Sequence, residues 1–285
     1  MYRETKWAQE LIAAQDANGP WGNFHSLAQP IKGTHTTEQA LRRLWTLGFT
    51  VEDRPIQKTL AYLTDCLAGK KEMPDHREKG HDWDLFTDLM LATWIRVFTK
   101  ENPLANRIAA KWAAVLTEAF RSGRYDDGAY RAAWEGVFGQ KLRGTRFLDF
   151  VSFYQVSLVA DQLEEAVEDA LMDYLLARED GIYYIYDGPI RRLPDDFASR
   201  QASRYLGALE LLSGYRRSLP KLRFAADWLL ENRKDNGRWD MGPGVNDKIY
   251  FPLSDSWRTP GAREKDCTYR IQKLLNALNP ESLSD

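Results

Sequence analysis

Ionisable side chains recur one helical turn apart in several separate stretches of this chain. Glu38 and Arg42 stand four residues apart, as do Asp84 and Asp88, and Asp266 and Arg270, while Asp196, Arg200 and Arg204 form a two-turn stripe. Spacings of three and four place side chains on one face of a helix. Carboxylates gathered at such a face can give and take protons, so Asp84, Asp88 and Asp196 are candidate catalytic residues, and Asp195, next to Asp196, joins them through a motif considered below. His35, Glu38, His81, Asp149, Arg192, Arg200, Tyr250, Trp257 and Arg258 make up the candidate ligand-binding set. Arg143, Arg146, Arg191 and Arg192 are suited to an anion, because a guanidinium matches phosphate or carboxylate in two-point contact. Each carboxylate taken singly has a structural role open to it as well. Asp and Glu in a first helical turn cap the helix or favour its positive end. His25 and His76 fall in turns, where solvated side chains are expected. No metal set is assigned, and the cofactor is left open.

The elements that must carry these residues alternate between two kinds. One set is amphipathic: KWAQELIAAQ, NRIAAKWAAVLTEAF, LEEAVEDALMDYLLARE and PKLRFAADWLLENR. Each ends on Asp or Ser and a glycine, with an aromatic shortly after, a pattern that stops a helix and folds a ring back over its last turn. The glycines taken as markers are Gly19, Gly128, Gly181 and Gly237, spaced 109, 53 and 56 residues apart. A repeat of about 55 residues fits, with a degenerate copy at QKTLAYLTDCLAGK and five units in the chain. The second set reads TTEQALRRLWTLGF, DLFTDLMLATWIRVF, RFLDFVSFYQVSLVA, SRQASRYLGALELLSGY and DCTYRIQKLLNAL. The second and third of these are apolar on nearly every face, which predicts burial. Alternation at a fixed period predicts an all-α fold, a single (α/α) toroid of about five hairpins over residues 1–285.

The endings QDANGPWG and ENRKDNGRW resemble the QW motif of squalene and oxidosqualene cyclases, shared in weaker form by protein prenyltransferase β-subunits. Gln15, Gly19 and Trp21 match, as do Trp228, Leu229, Gly237 and Trp239, although Asn232 or Arg233 stands where Gln is expected. The resemblance implies the helical ring and says nothing of activity. Leu193-Pro194-Asp195-Asp196-Phe197-Ala198 lies where such cyclases carry an Asp-x-Asp-Asp acid, with Leu193 in place of the first Asp. Asp82-Trp83-Asp84 is another half-match. Asp266 and Cys267 are adjacent where prenyltransferases bind zinc through Asp-x-Cys and a His, with His35 and His81 on the same expected rim.

In such a ring the loops that enter the inner helices share one rim. Those loops are polar here, which predicts a charged funnel and a small polar or anionic ligand in a central cavity. The segment MGPGVNDKIYFPLSDSWRTPGARE is longer than a connector needs and reads as a lid or a plug. Carbohydrate chemistry is the rival enzyme class, with Asp84, Asp88, Asp149, Tyr250 and Trp257 as carboxylates and platforms. A scaffold without catalysis is the third.

Bulk composition sets the remaining bounds. The 285 residues carry 39 basic and 41 acidic side chains, a formal charge of −2, with 44% apolar residues. That balance excludes wholesale disorder and offers no basic run for nucleic acid. The first ten residues lack the apolar core of a signal peptide, and no stretch approaches a membrane span. Two cysteines, Cys66 and Cys267, cannot form a disulfide framework, so a cytoplasmic setting is expected. The oligomeric state is left open.

Overall fold

The computed structural model describes residues 2–25, 35–143, 149–247, 250–258 and 260–278. Among them the regular structure is helical: α1 (Lys6–Ala14), α2 (Thr37–Thr46), α3 (Arg54–Leu67), α4 (Trp83–Phe98), α5 (Pro103–Ala119), α6 (Asp127–Phe138), α7 (Phe153–Leu158), α8 (Glu165–Ala177), α9 (Arg200–Leu212), α10 (Ser218–Lys221), α11 (Arg223–Glu231) and α12 (Pro260–Leu278), with one 3₁₀ turn at Pro243–Val245. No described helix is long and apolar enough to cross a membrane. The chain forms two compact units: Met1–Ile108 with Asn246–Ser256, and Ala109–Val245 with Trp257–Asp285.

In the first unit α1 packs on α2 and α3 on α4. Burial alternates along the chain. Helix α1 buries only Ala8 and Leu11, whereas α2 buries seven of its ten residues. Every residue from Leu89 to Arg96 of α4 is buried, so that helix is enclosed on all faces, as its apolar run predicts. Helix α2 starts on a capping box: the Thr36 side chain accepts from the Gln39 backbone N–H, and the Gln39 side chain returns the bond to Thr36. The segment 246–256 belongs to this unit. Phe251 and Leu253 are buried, the Trp7 indole donates to the Ser254 carbonyl at 2.8 Å, and Arg43 donates to the Pro252 carbonyl. These contacts hold the segment against α1 and α2.

In the second unit α9 packs on α7 and on the 3₁₀ turn, and α11 on α10 and α12. Helix α11 buries Ala225, Trp228 and Leu229, whereas α9 buries eight of 13 residues. Helix α8 departs from the alternation by burying seven of 13. Helix α6 was not expected. The Asp126 side chain caps it through the Ala129 N–H, and Tyr130 and Trp134 bury its inner face.

The turns after α1 and α11 are built alike. The Trp21 indole donates to the Leu11 carbonyl at 2.7 Å, and the Trp239 indole to the Leu229 carbonyl at 2.6 Å. The backbone N–H of Trp21 donates to Thr37 Oγ1 of α2, and that of Trp239 to Thr268 Oγ1 of α12. Asp16 bonds to Pro20 and Gly19 to Asp16 as Lys234 bonds to Arg238 and Gly237 to Lys234. Apart from the two threonines, one shift of 218 positions (239 less 21) relates the two sets, close to four periods of 55. Gly19 has φ +112 and Gly237 +79, and a Cβ on Gly19 would lie 2.5 Å from the Lys58 carbonyl oxygen. Gln15 braces its turn by donating to the Gly19 and Pro55 carbonyls. Arg233, in the corresponding place, lays its guanidinium over the Trp239 ring instead.

Two of the marker glycines need correction. Gly128 lies in the first turn of α6, and the left-handed glycine in the turn after α5 is Gly123, followed two residues on by Tyr125. Gly181 does not take a left-handed conformation. It is required because a Cβ there would lie 2.1 Å from the Tyr186 carbonyl oxygen.

Candidate functional site

The polar side chains of the first unit converge on Glu38 in the opening turn of α2. Its carboxylate is 8% exposed and takes the Trp94 indole N–H at 3.0 Å on Oε1 and His25 Nδ1 at 3.0 Å on Oε2. Arg42, one turn on, places Nη2 3.7 Å from Oε1 and its guanidinium over the Trp94 ring. Burying a carboxylate is costly unless it is paired and hydrogen-bonded, and these contacts meet that cost. Glu78 continues the chain: Oε1 lies 4.0 Å from His25 Nε2, and Oε2 lies 3.7 Å from His81 Nε2. Phe86 of α4 meets both imidazoles edge to face, with centroids 5.6 Å and 4.6 Å away.

The backbone holds this arrangement in place. The N–H groups of Thr37 and Glu38, two of the unsatisfied donors that begin a helix, donate to the Asn23 and Phe24 carbonyls. The N–H groups of Phe24 and His25 donate in turn to the buried Asp75 carboxylate at 2.6 and 2.8 Å. His25 is therefore a packed residue joined to a buried glutamate, which corrects its reading as a solvated turn residue.

In the second unit Arg191 and Arg192 precede α9, and Arg200 and Arg204 lie on it. Ile190 is anchored to α9, since its carbonyl accepts the Tyr205 hydroxyl at 2.9 Å, and Arg191 and Arg192 follow directly. Arg191, Arg192, Arg200 and Arg204 are all exposed and form no ion pair among the described residues. Arg200 sits at the positive end of α9, with Arg204 one turn along the same face. Both placements are unfavourable for a cation, by a few tenths of a kcal/mol each.

The remaining predicted residues are placed as follows. Asp84 is 80% exposed and held by Arg77 at 2.8 Å. Asp88 is half-buried on α4, and His35 half-buried before the α2 cap. Asp195 and Asp196 are exposed, Asp196 accepting the Ala198 N–H in a turn ahead of α9. Asp149 is exposed, accepts the Val151 N–H and pairs with Arg178 at 2.7 Å. Tyr250 is buried, Trp257 donates to the buried Asp266 at 2.8 Å, and Arg258 is exposed. Arg143 is exposed, and Arg146 lies outside the described residues.

Cys267 is fully buried, which pushes its thiol up to about 11 and disfavours the thiolate a metal would need. Among the described residues no group of three or more His, Cys, Asp or Glu is arranged to hold a metal ion. Asp266 instead accepts the Trp257 indole N–H, and the Arg270 guanidinium grips Glu210 at 2.6 and 3.0 Å and Ser203 at 3.1 Å. No protein-family model, curated protein or solved structure matches the chain.

Proposed function

We propose that this chain is a helical-repeat protein of the squalene-cyclase and prenyltransferase type that binds a small anionic molecule at the amino-terminal mouth of α9. The equivalent Trp21 and Trp239 turns and the alternation of sparsely and heavily buried helices support the (α/α) toroid of five hairpins. The observation that carries the ligand reading is the set Arg191, Arg192, Arg200 and Arg204. These are four exposed guanidiniums within fourteen residues, without ion pairs among the described residues, Arg200 on the positive first turn of α9 and Arg204 one turn further along it. A bound phosphate or carboxylate would relieve both the mutual repulsion and the unfavourable helix end. The carbohydrate alternative has less support, because Asp84 and Asp149 are each engaged by an arginine.

The test is thermal denaturation of the full chain with phosphate or pyrophosphate. A ligand that prefers the folded state raises the midpoint in proportion to the logarithm of its concentration above its Kd. Arg192→Ala and Arg200→Ala should lose most of that rise. Arg217→Ala should keep it, because Arg217 pairs with Glu165 and Asp169 elsewhere in the second unit. Equal rises in all three variants, or none in the parent, would leave the arginines without a ligand role.

A further inference from the structure

We propose that Asn18 is a site of self-modification, converted through a succinimide to isoaspartate and aspartate by the backbone nitrogen of Gly19, while the equivalent Asn236 is protected. The site is separate from the arginines of α9 and owes nothing to them. Asn-Gly occurs twice in the chain, at 18–19 and 236–237, and the two copies lie in the turns after α1 and α11. Glycine has no side chain to shield its nitrogen from the preceding asparagine, so both pairs share one intrinsic reactivity. Both asparagines are exposed. Both glycine N–H groups make the same turn bond, Gly19 to the Asp16 carbonyl at 2.9 Å and Gly237 to the Lys234 carbonyl at 2.8 Å. These bonds restrain the attacking nitrogen equally in the two turns.

The side-chain amides differ. Asn236 Oδ1 accepts the Arg238 backbone N–H at 3.0 Å, and Asn236 Nδ2 donates to Glu264 Oε1 at 3.1 Å. Attack requires the amide carbon to swing toward the Gly237 nitrogen, so both bonds must break first. In the other turn the residue after the glycine is Pro20. Proline has no N–H, so Pro20 cannot hold Asn18 as Arg238 holds Asn236. The Asn18 side chain makes no hydrogen bond among the described residues, whereas its backbone N–H is fixed by Asp16 Oδ1 at 2.8 Å. The reaction has a structural consequence here. The Gly19 carbonyl accepts from Gln15 Nε2 and Thr59 Oγ1, both at 2.9 Å, which ties the end of α1 to α3. An isoaspartyl link adds one atom to the main chain beside Gly19, where even a Cβ would lie 2.5 Å from the Lys58 carbonyl oxygen.

In the step itself the Gly19 nitrogen gives its proton to solvent and bonds to Asn18 Cγ, and the carbonyl pair moves onto Oδ1. When that pair returns, the bond from Cγ to Nδ2 breaks, and the departing nitrogen takes up a proton and leaves as ammonia. Water then opens the imide. Breaking the new bond to Cγ gives aspartate, and breaking the original bond to the Asn18 main-chain carbonyl gives isoaspartate. One water is consumed and one ammonia released, and no electrons are gained or lost.

The experiment ages the full chain for several weeks in warm, mildly alkaline buffer, cuts it after lysine and maps the fragments by mass spectrometry. Fragments 7–32 and 235–248 report on Asn18 and Asn236 separately. Asn18 should gain the mass of one deamidation about tenfold or more faster than Asn236, because two hydrogen bonds hold the latter. In urea that unfolds the chain the two rates should converge. Pro20→Ala supplies the missing N–H and should slow conversion at Asn18 several-fold, while Glu264→Ala should speed it at Asn236. The second variant decides the matter should the first fail to fold. The isoaspartyl form, separated by ion exchange, should melt below Asn18→Asp, which carries the new charge without the extra atom. Equal rates in the folded parent, conversion at Asn236 first, or an intact Asn18 would overturn the proposal. So would an Asn236 rate unmoved by Glu264→Ala, or an isoaspartyl form as stable as Asn18→Asp.

Discussion

Replacing Trp239 by alanine tests whether the turn after α11 bears the weight that its hydrogen bonds imply. The side chain is 2% exposed, and its indole N–H satisfies the Leu229 carbonyl at the end of the helix. Losing a buried aromatic costs about 3–5 kcal/mol, and leaving the carbonyl without its donor adds about 1 kcal/mol. For a unit of this size each kcal/mol shifts the thermal midpoint by about 2–4 °C, so a fall of about 10 °C or more is expected. Trp239→Phe keeps most of the ring and removes only the donor, which predicts a loss of about 1–2 kcal/mol. Trp21, 3% exposed with the same indole bond to Leu11, should behave as its counterpart in the first unit. Leu230→Ala, at a 49% exposed position next to Leu229, is the control and should shift the midpoint by no more than about 2 °C. Calorimetry reads all four, since it also separates the two units should they melt apart. An unchanged midpoint for Trp239→Ala, or a Trp21 variant no worse than Leu230→Ala, would refute the equivalence of the two turns.

Two further predictions concern pH and backbone. Hydrogen bonds from Arg263 at 2.6 and 2.8 Å hold the Asp240 carboxyl below its ordinary value of 3.8, so the stability it contributes is present above pH 3.8 and is lost as pH falls through the depressed folded value. The gap in melting temperature between the parent and Asp240→Asn should therefore close as pH is lowered from 7 to 2, and a constant gap would contradict the pairing. Gly19→Ala should cost about 3 kcal/mol, because it combines φ +112 with a clash against the Lys58 carbonyl. Gly48→Ala, at φ +91 with no atom within 4 Å of the new Cβ, should cost about 1 kcal/mol. Equal losses by urea denaturation would remove the close approach as the reason for Gly19.

Much of the helical order is readable from local chemistry. Gly19 and Gly237 lie in the turns after α1 and α11, where a left-handed residue followed by a folded-back indole is a property of a few consecutive residues, and the apolar run of α4 requires burial wherever it is placed. Helix α6 had a usable signal: Asp126 as a cap, then Tyr130, Trp134 and Phe138 four apart, closed by Gly139. Taking Gly128 as the turn glycine concealed it, while the left-handed glycine of that turn, Gly123, stands five residues earlier.

Which polar residues meet was not readable in this way. Glu38 was singled out from its spacing to Arg42, yet its bonded partners His25 and Trp94 lie 13 and 56 residues away, and nothing local distinguishes His25 from His76. Asp84 is spaced one turn from Asp88 on a buried helix, yet it is exposed and pairs with Arg77 of the preceding loop. The segment 246–256 was legible as an unusually long connector, but its docking on Trp7 and Arg43 joins residues more than 200 positions apart. Helix ends and amphipathic faces depend on neighbours within a turn, so periodicity and capping residues specify them. A buried hydrogen bond depends on which elements are brought together, and only the packed chain decides that.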